Sequence, residues 1–171
     1  MLITKSALEG KVLQLDNCLS SAVHQDHNTL FKIKDGLFKF PGAHEGAELV
    51  QYQWPDDIPE PDVELYKKIL DLPEDCIAQV GLHEIHSSKY IPPHSDLNHL
   101  GGLTIFLNNE WYPYFGGQGV AYKDGEYVIS EVKFNTGVFY RTPLSHCTMP
   151  VYEHNQVRRT IQIFFDENDK N

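Results

Sequence analysis

Apolar and polar residues alternate along most of the second half of the chain, which predicts a series of short β-strands. The segment 78–86 alternates with a period close to two, 103–107 is a short apolar run, and 158–165 alternates again. Further strands are expected at 120–122, 127–134, 138–140 and 148–152. Many short strands at close intervals indicate a jelly roll or a small barrel, whose mouth can hold a ligand.

The N-terminal part of the chain has a mixed pattern. Strands are expected at 11–15, 31–34, 37–40 and 49–54, a helix at 17–27, and a loop at 41–46. Asp35-Gly36 lies between two apolar runs and is typical of a tight β-hairpin turn. We interpret residues 1–76 as an α/β scaffold, residues 77–165 as a jelly-roll core, and residues 1–171 as a single domain.

Residues 62–70 predict an amphipathic helix. Its apolar residues fall along one side, and they are Leu65, Tyr66, Ile69 and Leu70. Acidic residues come first and lysines later, which is the order that the helix dipole favours. We expect the helix to pack against the outside of a sheet, so the overall expectation is a mainly β fold with flanking helices.

The composition narrows the classes of function. The formal net charge is -10, which argues against a nucleic-acid partner held by phosphate neutralisation. Cys18, Cys76 and Cys147 are odd in number and widely spaced, which is typical of a reduced cytoplasmic chain and not of a zinc site or a disulfide framework. We find no signal peptide or membrane span in the sequence and expect a cytoplasmic protein without a membrane partner.

A His-x-Asp triplet can clamp a metal ion only where residues two apart point the same way, as they do on a strand. The sequence contains two such triplets, His94-Ser95-Asp96 and His24-Gln25-Asp26. Pro92-Pro93 excludes a helix directly before His94, and apolar β runs lie on both sides of it. The residues before His24 recur at helical spacing, so His24 and Asp26 would face different sides. We therefore predict that His94 and Asp96 are metal ligands and that His24 and Asp26 are solvated.

His146 is the candidate for a third ligand. Two imidazoles and one carboxylate on one face of an ion leave positions open for substrate and oxygen, as in non-haem Fe(II) oxygenases. A jelly roll can bring His146 beside the triplet because it returns the chain to neighbouring strands. The sequence therefore predicts a metal centre formed by His94, Asp96 and His146.

Arg158 and Arg159 open the alternating run 158–165, where an inward arginine could present its planar fork to a carboxylate. Only one of them can point inward, because neighbours on a strand face opposite sides. We favour Arg158, which places Thr160 and Gln162 on the same polar face. The opposite register would line the cavity with the apolar residues of the run, and it stays open at this point.

Several motifs follow one another in a fixed order. They are His94-Ser95-Asp96, Gly101-Gly102-Leu103-Thr104-Ile105-Phe106-Leu107-Asn108, Trp111, Gly116-Gly117, His146 ahead of Pro150-Val151, and Arg158-Arg159-Thr160-Ile161. The ordered series resembles the 2-oxoglutarate- and Fe(II)-dependent dioxygenase superfamily, in its prolyl-4-hydroxylase-like branch, and it covers about half of the chain.

The resemblance implies an enzyme with a double-stranded β-helix, which is a jelly roll of the cupin-like kind. His94, Asp96 and His146 would form the catalytic centre and hold Fe(II), and Arg158 and Thr160 would bind 2-oxoglutarate. The implied reaction hydroxylates an unactivated C–H bond and releases succinate and CO2, with ascorbate as a further candidate cofactor. The implied substrate is a prolyl or other peptidyl side chain, with a free amino acid or other small molecule as the alternative.

Two rival functions are consistent with the same three ligands. A non-catalytic cupin-like module would hold a structural metal or none, and it would not need Arg158. A metal-dependent hydrolase or isomerase would need a general base near the open site instead of a carboxylate anchor. The environment of Arg158 therefore separates the dioxygenase from its rivals.

The sequence departs from the family pattern at the contacts to 2-oxoglutarate. Members of the family often have a tyrosine in the strand after the triplet, where this chain offers only Thr104 and Phe106. His86, Tyr90 and Tyr122 are open candidates to replace it.

Two further features allow more than one interpretation. The aromatic segment 111–115 fits either a substrate-binding lip or a packed loop. Cys147 follows His146 and would point away from it on a strand, so we expect a core position for its thiol and not a nucleophile.

Overall fold

The computed structural model describes residues 1–19, 39–41, 49–54 and 58–168, and these residues form two antiparallel β-sheets. The larger sheet contains eight described strands, which are β1 (Leu2–Ala7), β2 (Val12–Asp16), β3 (Lys39–Pro41), β4 (Val50–Gln53), β5 (Ile77–His86), β7 (Gly101–Phe106), β10 (Thr136–Arg141) and β12 (Val157–Asp166). The smaller sheet contains four, which are β6 (Ile91–His94), β8 (Gly119–Lys123), β9 (Glu126–Ser130) and β11 (Ser145–Thr148).

Strands that are distant in sequence are neighbours in both sheets. The order is β1-β2-β10-β7-β12-β5-β4-β3 in the larger sheet and β6-β11-β8-β9 in the smaller one. This return of the chain to neighbouring strands is the topology of a jelly roll. The predicted mainly β, jelly-roll fold is therefore confirmed.

The two faces of the larger sheet bury different cores. On the inner face, which looks towards the smaller sheet, Phe106 of β7 belongs to a cluster with Ala121 and Val128. On the outer face, Leu103 and Ile105 of the same strand belong to a second and larger cluster. All six residues of β7 are buried because both faces of this central strand are covered.

Helix α1 (Val63–Ile69) contributes to the cluster on the outer face. Asp62 caps the helix, since its side chain accepts a hydrogen bond from the backbone N–H of Leu65 at 3.0 Å. The Tyr66 hydroxyl donates to the backbone carbonyl of Cys18 at 2.7 Å, which fastens the helix to the segment after β2. The predicted helix at 62–70 and its position outside a sheet are thus found in the structure.

The apolar side of α1 is narrower than the sequence predicts. Tyr66 and Leu70 are buried, but Leu65 is 39% exposed, so the prediction that it shares their side is wrong. Successive helical residues are rotated by about 100°, and a helix that turns Tyr66 to the core turns Leu65 towards solvent.

The strand expected at 148–152 is also misplaced. The observed strand β11 ends at Thr148, and Pro150 offers no backbone N–H to continue the ladder. Val151 forms only an isolated bridge with Gly116. The strand lies further towards the N-terminus because the proline ends it.

Strand β9 is shorter than predicted and ends at Ser130 instead of 134, where its partner Gly119 is the first residue of β8 and the ladder ends. Several predictions fall wholly or mostly outside the described residues. They are the helix at 17–27, the hairpin at 31–40, the loop at 41–46 and the triplet His24-Gln25-Asp26.

The N-terminal strands extend the same large sheet at both edges. At one edge β2 pairs with β10 and β1 pairs with β2, and at the other edge β4 pairs with β5 and β3 pairs with β4. The division of the chain into a scaffold before residue 77 and a core after it stays a prediction. Within the described ranges, no helix combines the length and the apolar character that crossing a bilayer requires.

Candidate metal centre

Three of the predicted residues meet between the sheets. His94 ends β6 and lies directly opposite His146 of β11, and Asp96 follows two positions after His94. His94 Nε2 is 3.4 Å from Asp96 Oδ1, and His146 Nε2 is 3.3 Å from Asp96 Oδ2. One ligand atom from each residue lies within 4.8 Å of the other two. Two imidazoles and one carboxylate are thus brought to a single point.

Backbone carbonyls fix the orientation of both imidazoles. His94 Nδ1 is 2.8 Å from the carbonyl oxygen of Pro92, and His146 Nδ1 is 3.1 Å from that of Leu144. A carbonyl can only accept, so each Nδ1 must carry the proton and donate it. This arrangement leaves each Nε2 directed at Asp96, which is how a protein presents histidine to a metal ion.

The charges at this point depend on one another. Burial alone would raise the pKa of Asp96, but hydrogen bonds from His146 and His94 hold the pKa of that carboxyl well below its usual range. Burial alone would lower the pKa of His94, but its hydrogen bonds to Asp96 and to the Pro92 carbonyl raise it. A cation bound by the same atoms would displace the Nε2 protons, because metal ligands must be deprotonated.

Arg158 reaches into the same cleft from β12. It is 4% exposed, and its guanidinium carbon lies 5.0 Å from the centre of the Phe106 ring. Its Nε has no hydrogen-bond partner in the part of the chain that the structure describes. Burial lowers the pKa of Arg158 to about 10, which leaves the side chain cationic at neutral pH.

Arg159 points to the opposite face of β12. Its Nε donates to Glu84 Oε1 at 3.0 Å, and the Tyr52 hydroxyl donates to Glu84 Oε2 at 3.0 Å. Arg158, and not Arg159, therefore lies in the cleft. Of the two registers that the sequence allowed, the structure has the favoured one, in which the polar residues of β12 face inward.

The cleft is lined from both sheets. The smaller sheet contributes His94, His146 and Thr148, and the larger sheet contributes Thr104, Arg158 and Gln162. The Thr104 hydroxyl donates to Gln162 Oε1 at 2.7 Å. Thr160 lies on the same face of β12, buried at 1% exposure, and its hydroxyl has no hydrogen-bond partner among the described residues.

The residues suggested as replacements for the family's tyrosine lie elsewhere. The side chain of His86 is 51% exposed, and Tyr90 and Tyr122 are 41% and 40% exposed. None of the three lines the cleft as the described residues form it. Tyr140 does line the cleft, although it was not among the residues that the sequence predicted for it. The one feature of the sequence that pointed to Tyr140 was its position on the strand run 138–140, six residues before His146.

The packed-loop interpretation of the aromatic segment is found in the structure, and the substrate-binding lip stays a prediction. Trp111 donates from its ring N–H to the Gly116 carbonyl at 2.9 Å, and Phe115 is buried. Tyr112 and Tyr114 stack on each other and are 52% and 68% exposed. The segment is thus a packed loop with an exposed tyrosine pair.

Cys147 has the orientation expected of it. Its thiol is buried and lies 3.4 Å from the Tyr122 hydroxyl. This contact belongs to a different side of β11 from His146, since Tyr122 is the cross-strand partner of Ser145.

Fold and site together define a jelly-roll protein with a two-histidine, one-carboxylate set and a buried arginine in one cleft. Its structure is similar to a Pseudomonas putida prolyl-4-hydroxylase, with a TM-score of 0.73 and 15% identity over 92% of this chain and 93% of that one. It is also similar to a Trichoplax adhaerens prolyl hydroxylase in complex with a hypoxia inducible factor peptide fragment, with a TM-score of 0.71 and 13% identity over 91% of this chain and 83% of that one.

A third similar structure is a 2OG-Fe(II) oxygenase family oxidoreductase from Burkholderia pseudomallei. The TM-score is 0.68 and the identity 11%, over 92% of this chain and 86% of that one. No family model matches the chain, and no curated protein matches its sequence. The likeness to solved structures shows the fold, and it agrees with the resemblance that the motifs carry.

Proposed function

We propose that the protein is a 2-oxoglutarate- and Fe(II)-dependent oxygenase that hydroxylates a C–H bond. The observation that carries the proposal is the buried cation of Arg158 in the same cleft as His94, Asp96 and His146. Arg158 has no anionic partner among the described residues, and a buried charge left unpaired is costly, so its presence calls for an anionic ligand. The rival module without catalysis gives no reason for such an arginine.

The three ligand residues suit the proposed metal. Two neutral imidazoles and a carboxylate that stays ionised are the donor set of non-haem Fe(II) sites with open positions. His94 and His146 are held by carbonyls behind them, so their Nε2 atoms are oriented before any ion binds. When bound together, Fe(II) and 2-oxoglutarate supply the oxidation, in which 2-oxoglutarate, O2 and R–H give succinate, CO2 and R–OH.

Arg158 is suited to hold the far carboxylate of 2-oxoglutarate. Its planar fork can donate two parallel hydrogen bonds to a carboxylate, which fixes orientation as well as position. Phe106 lies against one face of the guanidinium, at 5.0 Å from its ring centre, which favours the cation. We include Thr160 in the same binding role, because its buried hydroxyl lies on the same face of β12.

The proposed substrate is a prolyl or other peptidyl side chain. It is supported by the likeness to a structure named as a prolyl-4-hydroxylase and to one in complex with a peptide fragment. A free amino acid or other small molecule is the alternative. Succinate release should be measured with a panel of proline-containing peptides and free amino acids, and stimulation by the amino acids alone would overturn the peptide substrate.

Two smaller parts of the proposal concern conditions. Ascorbate is proposed as an accessory that sustains turnover, and succinate release with and without it tests this directly. A cytoplasmic location is proposed because Cys18, Cys76 and Cys147 are free, buried thiols. Detection of the tagged protein in cell fractions tests the compartment.

The central experiment uses the purified protein without a substrate. Anaerobic addition of Fe(II) and 2-oxoglutarate is expected to give a weak visible charge-transfer band, and admission of oxygen is expected to release succinate. Arg158→Ala should lose both signals. Arg159→Ala is the matched control, since its side chain leaves the opposite face of the same strand and should keep both.

The rival functions give different results. A cupin-like module would bind metal and show neither the band nor succinate. A hydrolase or isomerase would be indifferent to Arg158→Ala and would show no dependence on 2-oxoglutarate. The proposal would be overturned if the wild-type protein bound metal and showed neither signal. It would also be overturned by an activity that needs neither 2-oxoglutarate nor Arg158.

A further inference from the structure

Tyr140 enters the cleft from β10, which is a different strand from those of the metal ligands and of Arg158. The residue is 7% exposed and its ring packs on His146, with 4.6 Å between the ring centres. Its position is internal, where a polar group needs a partner.

The hydroxyl of Tyr140 is a donor without an evident acceptor. It is buried, and no described residue meets it in hydrogen-bonding geometry. The Ser130 side chain is also near the hydroxyl, but the two groups do not meet in hydrogen-bonding geometry. A phenol is neutral at pH 7 and can donate one hydrogen bond, and Arg158 lies near enough to interact with it electrostatically.

Two glycines make room for these two side chains. A Cβ atom at Gly119 would lie 2.3 Å from the Tyr140 hydroxyl oxygen, and a Cβ atom at Gly117 would lie 3.0 Å from Cδ of Arg158. Real Cβ atoms do not approach an oxygen as closely as the first of these distances. Gly119 of β8 thus leaves room for the Tyr140 hydroxyl, and Gly117, just before that strand, leaves room for the Arg158 side chain.

We propose that Tyr140 donates a hydrogen bond to the far carboxylate of 2-oxoglutarate beside Arg158, and so selects a 2-oxo acid with a second carboxylate. The inference rests on the proposed function and names the residue that replaces the family's missing tyrosine. Tyr140 is the tyrosine among the cleft-lining described residues, whereas Tyr90 and Tyr122 are outside it. In this chain the role would belong to β10, which pairs with β7 on the side away from β12.

The test measures binding, so that turnover is not needed. Protein loaded with Mn(II) in place of Fe(II) is titrated calorimetrically with 2-oxoglutarate and with 2-oxobutyrate, which lacks only the far carboxylate. Tyr140→Phe should weaken 2-oxoglutarate binding by about 10- to 100-fold, as expected for one hydrogen bond to a charged group. It should leave 2-oxobutyrate binding unchanged. A purely structural tyrosine would weaken both acids equally or neither.

Tyr122→Phe is the matched control. It removes an equivalent hydroxyl whose contact is the Cys147 thiol, on the other side of the smaller sheet. It should change neither affinity. Equal effects of the two tyrosine variants on 2-oxoglutarate would overturn the inference.

Gly119→Ala tests the same contact from the opposite side, and it covers the case in which Tyr140→Phe fails to fold. The added methyl group must displace the Tyr140 hydroxyl, so 2-oxoglutarate binding should weaken to a similar extent. With phenylalanine at 140 the oxygen is gone, and the double variant should bind no worse than Tyr140→Phe alone. Additive losses would contradict the inference.

The two proposals fail in different ways. If the wild-type protein with Mn(II) does not bind 2-oxoglutarate, both the proposed function and the role of Tyr140 are overturned. If it binds 2-oxoglutarate through Arg158 but Tyr140→Phe and Gly119→Ala bind it equally well, only the role of Tyr140 is overturned.

Discussion

Arg158 and Arg159 are neighbours on β12, but their side chains enter opposite environments. On the outer face, Arg159 pairs with Glu84, whose carboxylate also accepts from Tyr52 and lies 3.6 Å from His86 Nε2. On the inner face, Arg158 is more deeply buried, and its Nε has no partner among the described residues. The outer arginine takes part in an internal ion pair of the fold.

The contrast extends along the strand. The outer positions are apolar and belong to the core that α1 also joins, for example Ile161 and Ile163. On the inner face, the Arg158 Nε and the Thr160 hydroxyl are buried and have no hydrogen-bond partner among the described residues. A folded protein normally satisfies its buried polar groups, so two such groups on one face indicate a place prepared for a ligand.

The largest effect is expected from the metal ligands on the inner side. His146→Ala removes one of three donors, and succinate release should fall below detection. Mn(II) affinity should fall by more than about 100-fold, beyond the loss typical of residues that only support a ligand. Calorimetric titration with Mn(II) measures it. His154→Ala removes an exposed histidine and serves as the control. Unchanged affinity in His146→Ala would show that the ligand set is wrong.

Arg158→Met separates the effect of the inner arginine on stability from its effect on ligand binding. Loss of the charge that would pair with the far carboxylate should raise the KM for 2-oxoglutarate by about 100-fold or more. Without ligand, the same variant should be more stable by about 1 to 2 kcal/mol, because a buried cation with no anionic partner among the described residues is replaced by an apolar side chain of similar length. The contact with Phe106 offsets part of that gain.

Thermal unfolding with and without 2-oxoglutarate measures both halves of this prediction. The wild-type protein should gain stability from 2-oxoglutarate and the variant should not. A variant that is less stable than wild type without ligand would show that Arg158 is satisfied within the fold, as Arg159 is.

Metal binding on the inner face should also depend on pH, because His94 must lose a proton to bind the ion. The pKa of His94 is raised, so its contact with Asp96 stabilises the metal-free fold at low pH and is lost as the pH rises through that raised value. Metal binding needs the deprotonated imidazole and should tighten as the pH rises towards that raised pKa, by up to about tenfold per pH unit.

Mn(II) titrations at several pH values measure this slope. Arg158→Met should show the same dependence, because its guanidinium is not a metal ligand. A flat profile would argue against displacement of the Nε2 proton from His94.

The pairing of His94 with Asp96 could be predicted because its signal is local: the residues are two apart, and Pro92-Pro93 blocks a helix. The structure adds that β6 ends at His94 and that Asp96 lies just beyond it. His146 could be predicted only through the jelly roll that the many short strands indicated, and Arg158 was favoured over Arg159 because it shares a face with Thr160 and Gln162. The roles assigned to these residues stay predictions until binding is measured.

The contribution of Tyr140 could not be predicted in the same way. Its place in the cleft depends on the pairing of β10 with β7 and on a glycine at 119 in the opposite sheet. No local pattern encodes that approach. The exposure of Leu65 likewise depends on which face of α1 the sheet covers, and periodicity alone gave too wide an apolar side.

The smallest effect is expected on the outer face, from Arg159→Met. Glu84 is fully buried and would lose one of its partners, but Tyr52 would still donate to it. The exposed part of Arg159 also limits the loss, so unfolding should become easier by about 1 to 2 kcal/mol. Thermal denaturation should show a fall in Tm of a few degrees. Because this arginine serves the fold alone, the affinity for 2-oxoglutarate should stay within about twofold of wild type once binding is scaled to the folded fraction. A selective loss of that affinity at unchanged Tm would reverse the roles of the two faces.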